Sequence, residues 1–160
     1  MANLSDFIGG GGLPQAIFRD VQSAGVAGTS ITGVATIQTF NDTVKTQGFV
    51  TRSGNDFTFP DAGTYAAFLT DSGEGNTLGE VQYWIRNTSG TAIGGIKKPV
   101  PASTIGKGLE VSDIIYFTTT TTNEVINLYA EGTLTVSKPA INPSNSDEEY
   151  YQQIAFSKVS

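Results

Sequence analysis

The sequence predicts an all-β protein built from antiparallel strands. The segment 56–65, DFTFPDAGTY, carries the strongest signal, because two phenylalanines alternate with polar residues before a proline ends the strand. An Asp-Ala-Gly turn then leads into a second strand, which predicts a tight corner between two strands. From residue 36 onward, strand patterns recur at the spacing typical of a β-sandwich or β-barrel, and no helical periodicity of useful length interrupts them.

Alternation of apolar and polar residues predicts a strand in each of nine segments of this region. In the clearest one, 78–87, the odd-numbered apolar residues from 81 to 85 are expected to face the core. Trp84 and Arg86 are expected to face the opposite side. The predicted strands are 36–40, 48–52, 57–59, 64–70, 78–87, 109–117, 125–130, 132–136 and 150–159.

Length and composition indicate one folded domain. Hydrophobic residues make up 38% of the 160 residues, charged residues 15% and aromatic residues 10%. A disordered chain would carry more charge and fewer aromatic residues, whereas turns and half-exposed strands require Gly, Thr, Ser and Asn. We therefore expect one β domain over 36–160, with two connections longer than a hairpin needs, at 71–77 and 139–149.

Charge and hydropathy argue against nucleic acid and membranes as partners. The net charge is −6, and the nine Lys and Arg residues are scattered, with only Lys97 and Lys98 adjacent, so no basic stripe follows a phosphate backbone. No apolar run approaches the roughly 18 residues of a membrane span, and no basic segment precedes an apolar one at the N-terminus. We expect no membrane association and no classical secretion signal.

The first 35 residues differ in composition from the rest. Residues 1–14, MANLSDFIGGGGLP, place Leu4, Phe7 and Ile8 at helical spacing and then continue into four glycines. Residues 15–35 are small and polar and are expected to form an extended connector. Two alternatives follow for this N-terminal arm: a disordered tail, or an arm that docks its apolar residues onto a neighbouring protein.

The sequence offers little catalytic chemistry. It contains no histidine and no cysteine, which excludes histidine-based triads, thiolate nucleophiles and thiolate zinc sites. The glycines at 9–12 and around Gly95 lack the flanking elements of a phosphate-binding loop, so both are expected to be loop glycines. We predict a protein that is not an enzyme, with no cofactor and no catalytic residues.

Clustered carboxylates are the remaining candidates for chemistry. Asp71 and Glu74 form one group and residues 147–149 another, but polar loops normally leave such carboxylates solvated. Asp71, Glu74 and Asn76 could supply oxygen ligands to calcium, although their spacing matches no defined calcium loop. No metal site is predicted, and calcium at this loop is kept as an alternative.

Three segments of the β domain resemble the jelly-roll domain shared by tumour necrosis factor and complement-type globular proteins. The corner at 57–65 matches that family's F-x-F-P and A-G-T-Y pattern, and 106–115 matches its small loop, leucine strand and acidic turn. Residues 154–157 stand where the closing strand falls, without the family's glycine. The resemblance covers about 36–160 and implies an antiparallel jelly-roll sandwich that forms a homotrimer.

The N-terminal residues resemble another group. M-A-N-L-x-D-x-I-G-G-G ahead of a small-residue connector resembles the start of small virion proteins of tailed bacteriophages. The segment 86–91, RNTSGT, is similar to strand-and-turn stretches of phage fibre heads. This resemblance implies a viral structural protein located in the virion, either on the capsid surface or at a fibre tip.

Two functions follow from these resemblances. The first is a trimeric capsid decoration or cement protein, whose partners are its own copies and the major capsid protein or other virion proteins. The absence of a shaft repeat or coiled-coil heptad in this short chain favours it. Its anchor to the capsid would comprise Leu4, Phe7, Ile8, Leu13 and Ile17.

The alternative is the receptor-binding tip of a tail or head fibre, with a host-surface glycan as partner. Aromatic residues give sugar rings a surface to stack on, and the same residues could instead form the contact between trimer subunits. The residues predicted for this surface are Trp84, Arg86, Tyr150 and Tyr151.

Overall fold

The computed structural model describes residues 15–23, 26–46, 49–75, 77–101, 109–138 and 149–159. Within these ranges all regular structure is β-strand, in twelve strands that form two antiparallel sheets packed face to face. The predicted all-β sandwich is confirmed. No helix in these ranges is long and apolar enough to cross a membrane.

The strands are numbered in the order in which they occur along the chain. They are β1 Gln15–Gln22, β2 Thr36–Ile37, β3 Asp42–Lys45, β4 Thr51–Ser53, β5 Asp56–Phe59, β6 Gly63–Gly75, β7 Gly79–Asn87, β8 Ala92–Val100, β9 Leu109–Thr119, β10 Glu124–Gly132, β11 Val136–Ser137 and β12 Glu149–Lys158.

The order of the strands in the two sheets is that of a jelly roll. Sheet 1 has the order β3-β1-β12-β6-β9, with β11 beside the last residues of β6. Sheet 2 has the order β4-β5-β10-β7-β8, with β2 beside β10. The eight longer or central strands are β1, β5, β6, β7, β8, β9, β10 and β12. Counted from one to eight in chain order, the first, eighth, third and sixth lie side by side in sheet 1. The second, seventh, fourth and fifth lie side by side in sheet 2. Most connections therefore cross from one sheet to the other, as the predicted jelly roll requires.

Aromatic side chains from both sheets fill the space between them. Phe57 and Phe59 of sheet 2 lie 5.0 and 5.1 Å, between ring centroids, from Phe156 of sheet 1. Phe59 also contacts Tyr65 at 4.7 Å and Phe117 at 5.4 Å. All five are buried. Offset and edge-on ring pairs of this kind add to the stability that burial of their apolar area provides.

The corner between β5 and β6 joins the two sheets. The Tyr65 hydroxyl and the Thr119 hydroxyl both donate to the carbonyl of Asp61, at 2.9 and 3.0 Å. Gly63 is the first residue of β6 and does not have a positive φ. The corner is therefore held by side chains that bond to the turn backbone, and not by the conformational freedom of its glycine.

Residues 15–22 correct the expectation of an extended connector. They form β1, which pairs with β12 along its whole length and with β3, and Ala16 and Phe18 are fully buried. The alternation of Ala16, Phe18 and Asp20 inward with Ile17, Arg19 and Val21 outward is the period of a strand. The sandwich thus includes residues well before Thr36, and residues 1–14 lie outside the described ranges.

β8 corrects the expectation that Gly95 lies in a loop. Residues 92–100 pair with β7 at the edge of sheet 2, where Pro99 costs no bond inside the sheet. A Cβ on Gly94 would lie 2.7 Å from the carbonyl oxygen of Tyr116 in β9, so a side chain does not fit there. Gly94 is therefore the point where β8 and β9 come close together. The sequence pattern instead predicts a loop at these glycines.

The prediction of a loop at 71–77 is also wrong for residues 71–75. β6 continues to Gly75, and Asp71 is buried inside the sandwich. The predicted strand at 132–136 is likewise shorter, because β10 ends at Gly132 and only Val136–Ser137 form β11. Most of the predicted loop at 139–149 lies outside the described residues, apart from Glu149 in β12.

Candidate functional site

A buried group of polar side chains lies between the sheets, at the end of the sandwich where β6 meets β11. Lys138 Nζ lies 2.7 Å from Asp71 Oδ1, and both side chains are 0% exposed. The Tyr83 hydroxyl, from sheet 2, donates to Asp71 Oδ2 at 2.6 Å. The Ser72 amide donates to Oδ1 at 2.9 Å, and Gln152 Nε2 donates to Oδ2 at 3.4 Å. The carboxylate of Asp71 therefore has donors on both oxygens.

Burial governs the ionisation of this group. Loss of solvation raises the pKa of Asp71 above its ordinary value, against the opposing effects of Lys138, Tyr83 and Ser72. Burial and the neighbouring Asp71 carboxylate also raise the pKa of Tyr83, so its hydroxyl stays protonated and remains a donor. The arrangement joins the two sheets and has no access to a substrate.

The calcium alternative does not fit this geometry. Asp71 points into the sandwich and is paired with Lys138, while Asn76 lies outside the described residues. Within the described ranges no three acidic side chains come together at one metal-sized site.

Two more buried acceptors lie beside this group. Asp20 and Gln152 are opposite one another on β1 and β12 and both face inward. Asp20 Oδ1 accepts from Gln22 Nε2 at 2.7 Å, but Asp20 Oδ2 and Gln152 Oε1 have no donor among the residues that the structure describes. A buried oxygen without a donor costs free energy, so this position is a weak point of the core.

The outer face of sheet 2 carries a surface of stacked rings. Trp84 on β7 and Tyr129 on β10 are directly opposite one another, and the Arg86 guanidinium carbon lies 4.9 and 4.8 Å from their ring centroids. Gly95 on β8 leaves room for the indole, since a Cβ there would lie 3.2 Å from Trp84 Cδ1. We call Trp84, Arg86 and Tyr129 the ring surface.

A shallow groove of about 230 Å³ adjoins the ring surface. It begins at Trp84 and runs along the same face of sheet 2, and its far end carries an ion pair between Lys97 and Glu80. Its lining residues are Glu80, Gln82, Trp84, Lys97, Glu131, Gly132 and Thr133. Amide, carboxylate and hydroxyl groups of this kind are partners for sugar hydroxyls.

The outer face of sheet 1 carries a row of apolar residues. Ile17, Ala155, Phe68 and Ile114 are paired in register across β1, β12, β6 and β9, and all four point away from the core. We call these four residues the apolar row. In the neighbouring register Ala66 lies opposite Tyr116, whose side chain is 62% exposed. An antiparallel sheet with one solvated face normally presents polar residues there.

On the other side of the apolar row the same face is polar. Arg19, Gln153, Thr70 and Ser112 are paired in register across the same four strands, and Arg19 Nε donates to Gln153 Oε1 at 3.0 Å. They line part of a broad groove of about 840 Å³, which also contains Glu110. The face thus combines an apolar row with charges of both signs.

The structure places some of the sequence-predicted site residues and not others. Trp84 and Arg86 are on the outer face of sheet 2, as the alternation predicted. Tyr151 is only 4% exposed and its hydroxyl donates to the carbonyl of Val26 at 2.9 Å, which corrects its assignment to a surface. Ile17 lies in β1 within the apolar row. The remaining predicted residues, Leu4, Phe7, Ile8 and Leu13, and the side chain of Tyr150, lie outside what the structure describes.

Sequence reasoning missed Tyr129, Phe68 and Ile114. Tyr129 is an aromatic residue at an outward position of a correctly predicted strand, so the alternation in 125–130 could have identified it. Phe68 and Ile114 are hidden in runs of consecutive apolar residues, AAFL and II, in which alternation is not visible.

No family model and no curated protein matches this chain. Three solved structures of murine APRIL, a protein of the tumour necrosis factor family, are similar to it in fold. The structure at pH 5.0 has a TM-score of 0.45 and 10% sequence identity, over 92% of this chain and 100% of the other. Those at pH 8.5 and 8.0 both have TM-scores of 0.40, with 10% and 11% identity, over 91% of this chain and 99% of the other.

Proposed function

We propose that this chain is a non-enzymatic structural protein that forms a homotrimer through the outer face of sheet 1 and decorates a phage capsid. The observation that carries the proposal is the apolar row. Four strands contribute one outward apolar residue each in register, of which Ile17, Phe68 and Ile114 are half-buried and Ala155 is 2% exposed. Contiguous apolar area on a solvent face is typical of protein–protein interfaces.

The composition of the face suits contact between copies of the chain. Ala66 and Ala155 are only 4% and 2% exposed, so the larger side chains beside them form the surface that another copy would meet. Tyr116 stands at the edge of the face on β9 and is largely exposed. Tyrosine is enriched in interfaces because its ring buries a large area while its hydroxyl remains hydrogen-bonded.

Attachment to the capsid is proposed for residues 1–14. The chain enters β1 at Gln15, two residues before Ile17 of the apolar row, so the arm is joined directly to the sheet that carries the proposed contact. The arm contains Leu4, Phe7, Ile8 and Leu13, and its resemblance to the start of phage virion proteins supports a capsid partner. The proposed location is the capsid surface of the virion.

The test compares the full chain with a variant that lacks residues 2–14. Both should have the mass of a trimer in light scattering, because β1 and the apolar row are intact in both. Only the full chain should bind empty capsids in a sedimentation assay. As a matched control, the full chain with Leu4, Phe7 and Ile8 changed to serine should remain trimeric and lose binding. A monomeric full chain, or a truncated chain that still binds capsids, would contradict the proposal.

The receptor-binding tip of a fibre is kept as a second candidate. The ring surface and its groove favour it, because they lie on the outer face of sheet 2, away from the proposed trimer contact. In this case the trimer would present three such surfaces to a host-surface glycan.

A further inference from the structure

We propose that the outer face of sheet 2 binds an acidic oligosaccharide, with its carboxylate or phosphate on Arg86 and a neighbouring sugar ring in the groove beside Trp84. The proposal names a ligand class for the surface on which the receptor-binding candidate rests. It requires neither trimer formation nor attachment to a capsid.

The first argument is the state of the Arg86 side chain. It is half-buried against Trp84 and Tyr129, and its Nε–H is buried without an acceptor. Within the described part of the chain it forms no ion pair, although the protein has a net charge of −6. A guanidinium without a carboxylate in an acidic protein is an available site for an external anion.

The second argument is preorganisation. The register of β7 and β10 places the rings of Trp84 and Tyr129 opposite one another. The Arg86 guanidinium carbon lies 4.9 Å from the centroid of Trp84 and 4.8 Å from that of Tyr129, so both rings hold it in place. An arginine held in one orientation loses less side-chain entropy when it binds than a free one. Its planar array of donors matches the two oxygens of a carboxylate or phosphate.

The third argument is the groove. Its volume of about 230 Å³ is below the range of about 300 Å³ and above that accommodates drug-sized ligands, so it suits a single ring. Trp84 gives that ring an apolar wall, while Gln82, Glu131 and Thr133 offer partners for its hydroxyl groups.

The fourth argument is the distance between the two parts. Gln82 in the groove and Arg86 lie on the same face of β7, four residues apart, which is about 13 Å along a strand. That is the backbone distance from Arg86 to Gln82, whereas Trp84, at the near end of the groove, lies 4.9 Å from the guanidinium. A sugar ring beside Trp84 can therefore place its acidic group near Arg86, and a further sugar unit is needed to reach Gln82, so the geometry favours a short oligosaccharide over a simple anion.

The experiment measures binding of three probes to the full chain by isothermal titration calorimetry. They are trigalacturonic acid, its methyl ester and a phosphorylated maltotriose. We expect at least one of the two acidic probes to bind. If the site takes carboxylates, the uncharged ester should bind at least tenfold more weakly than trigalacturonic acid. Preference for the phosphorylated probe would identify phosphate as the natural charge.

Variants separate the guanidinium from general charge. Arg86→Gln should weaken binding of the acidic probe by about tenfold or more, since a charged hydrogen-bonding pair is lost. Arg86→Lys keeps the charge and loses the planar donor array, so it should recover only part of the affinity. Lys45→Gln removes an exposed positive charge on β3 of sheet 1 and should leave binding unchanged.

A groove variant provides an independent measurement. Gln82→Ala should weaken binding of the acidic trisaccharide severalfold and leave the stacking of Arg86 on the two rings intact. Thermal melts confirm that each variant is folded. The proposal is overturned if neither acidic probe binds at millimolar concentration, if the ester binds as tightly as the better of the two acidic probes, or if Arg86→Gln binds that probe like the unmodified chain. The mass of each variant in solution tests the trimer separately, so the two proposals can fail independently.

Discussion

At the scale of single residues, Lys138 and Asp71 matter most, because both charges are completely buried. Neither charged side chain is exposed to solvent, so Asp71 depends on Lys138 and the Tyr83 hydroxyl, and Lys138 depends on Asp71. Lys138 directly follows β11, and the pair connects it to β6 in sheet 1 and, through Tyr83, to β7 in sheet 2.

Lys138→Met should therefore destabilise the protein strongly. It leaves the Asp71 carboxylate buried without its cation, a change that costs about 3–5 kcal/mol of unfolding free energy. Without Lys138, burial should raise the pKa of Asp71 further. A carboxyl group whose pKa is higher in the folded than in the unfolded protein stabilises the folded state at low pH. This contribution to stability is lost as the pH rises through the pKa of the folded state. The variant should thus be more stable relative to the unmodified protein at acid pH than at neutral pH.

Chemical denaturation from pH 4 to 8 measures this. Lys45→Met, at an exposed lysine, is the control and should change stability by less than about 0.5 kcal/mol at any pH. A Lys138→Met variant with wild-type stability at neutral pH would show that Asp71 is not held as a buried charge.

At the scale of elements, β8 determines how the open side of the sandwich closes. Its edge position in sheet 2 brings Gly94 against the backbone of β9 in sheet 1, and Lys98 forms an ion pair with Asp113 of β9. The Lys98 ammonium also lowers the pKa of Asp113. Glycine and lysine in this strand are thus explained by contact between the sheets, although they look unfavourable for a strand.

Gly94→Ala should destabilise the protein by about 1–3 kcal/mol, because the new methyl group would lie 2.7 Å from the carbonyl oxygen of Tyr116 and β8 would have to move. Gly33→Ala is the matched control. Its Cβ would meet only the carbonyl oxygen of Gly132 at 3.7 Å, an ordinary contact. Thermal melts of both variants give the comparison, and equal melting temperatures would mean that β8 and β9 are not closely packed.

The elements also show how far sequence patterns reach. β5, β7 and β10 were predicted nearly to their ends, because in each of them alternation is clear and the core residues are large. β1 was missed because Ile17 and Val21 face outward while Asp20 faces inward, so apolar and polar residues do not alternate there. β8 was missed because two glycines and a proline obscure the period of two, and only pairing with β12 and β7 makes these segments strands.

At the scale of the whole molecule, the two outer faces differ in character. The face of sheet 1 has the apolar row, and the face of sheet 2 has the ring surface and its groove. We propose the first face for contact with other copies of the chain and the second for a ligand.

Phe68→Glu should convert the proposed trimer into a monomer, because it places a charge in the middle of the apolar row. The unmodified chain should melt at a temperature that rises with protein concentration, as association stabilises the folded state, and the variant should lose that dependence. Thr51→Glu, at an exposed position of β4 in sheet 2, should remain trimeric. A Phe68→Glu variant that melts cooperatively and keeps the trimer mass in light scattering would exclude this face as the contact.

The sequence by itself determined the class of the fold, the corner at 57–65, the inward face of β7 and the lack of histidine and cysteine chemistry. These follow from local patterns: alternation, turn residues and composition. Only the tertiary structure decided that 15–22 belong to the sandwich, that Asp71 is a buried partner of Lys138, and that Ile17, Ala155, Phe68 and Ile114 form one row. The physical reason is that each of these depends on the register between strands distant in sequence, and register is set by how the two sheets pack and not by any single segment.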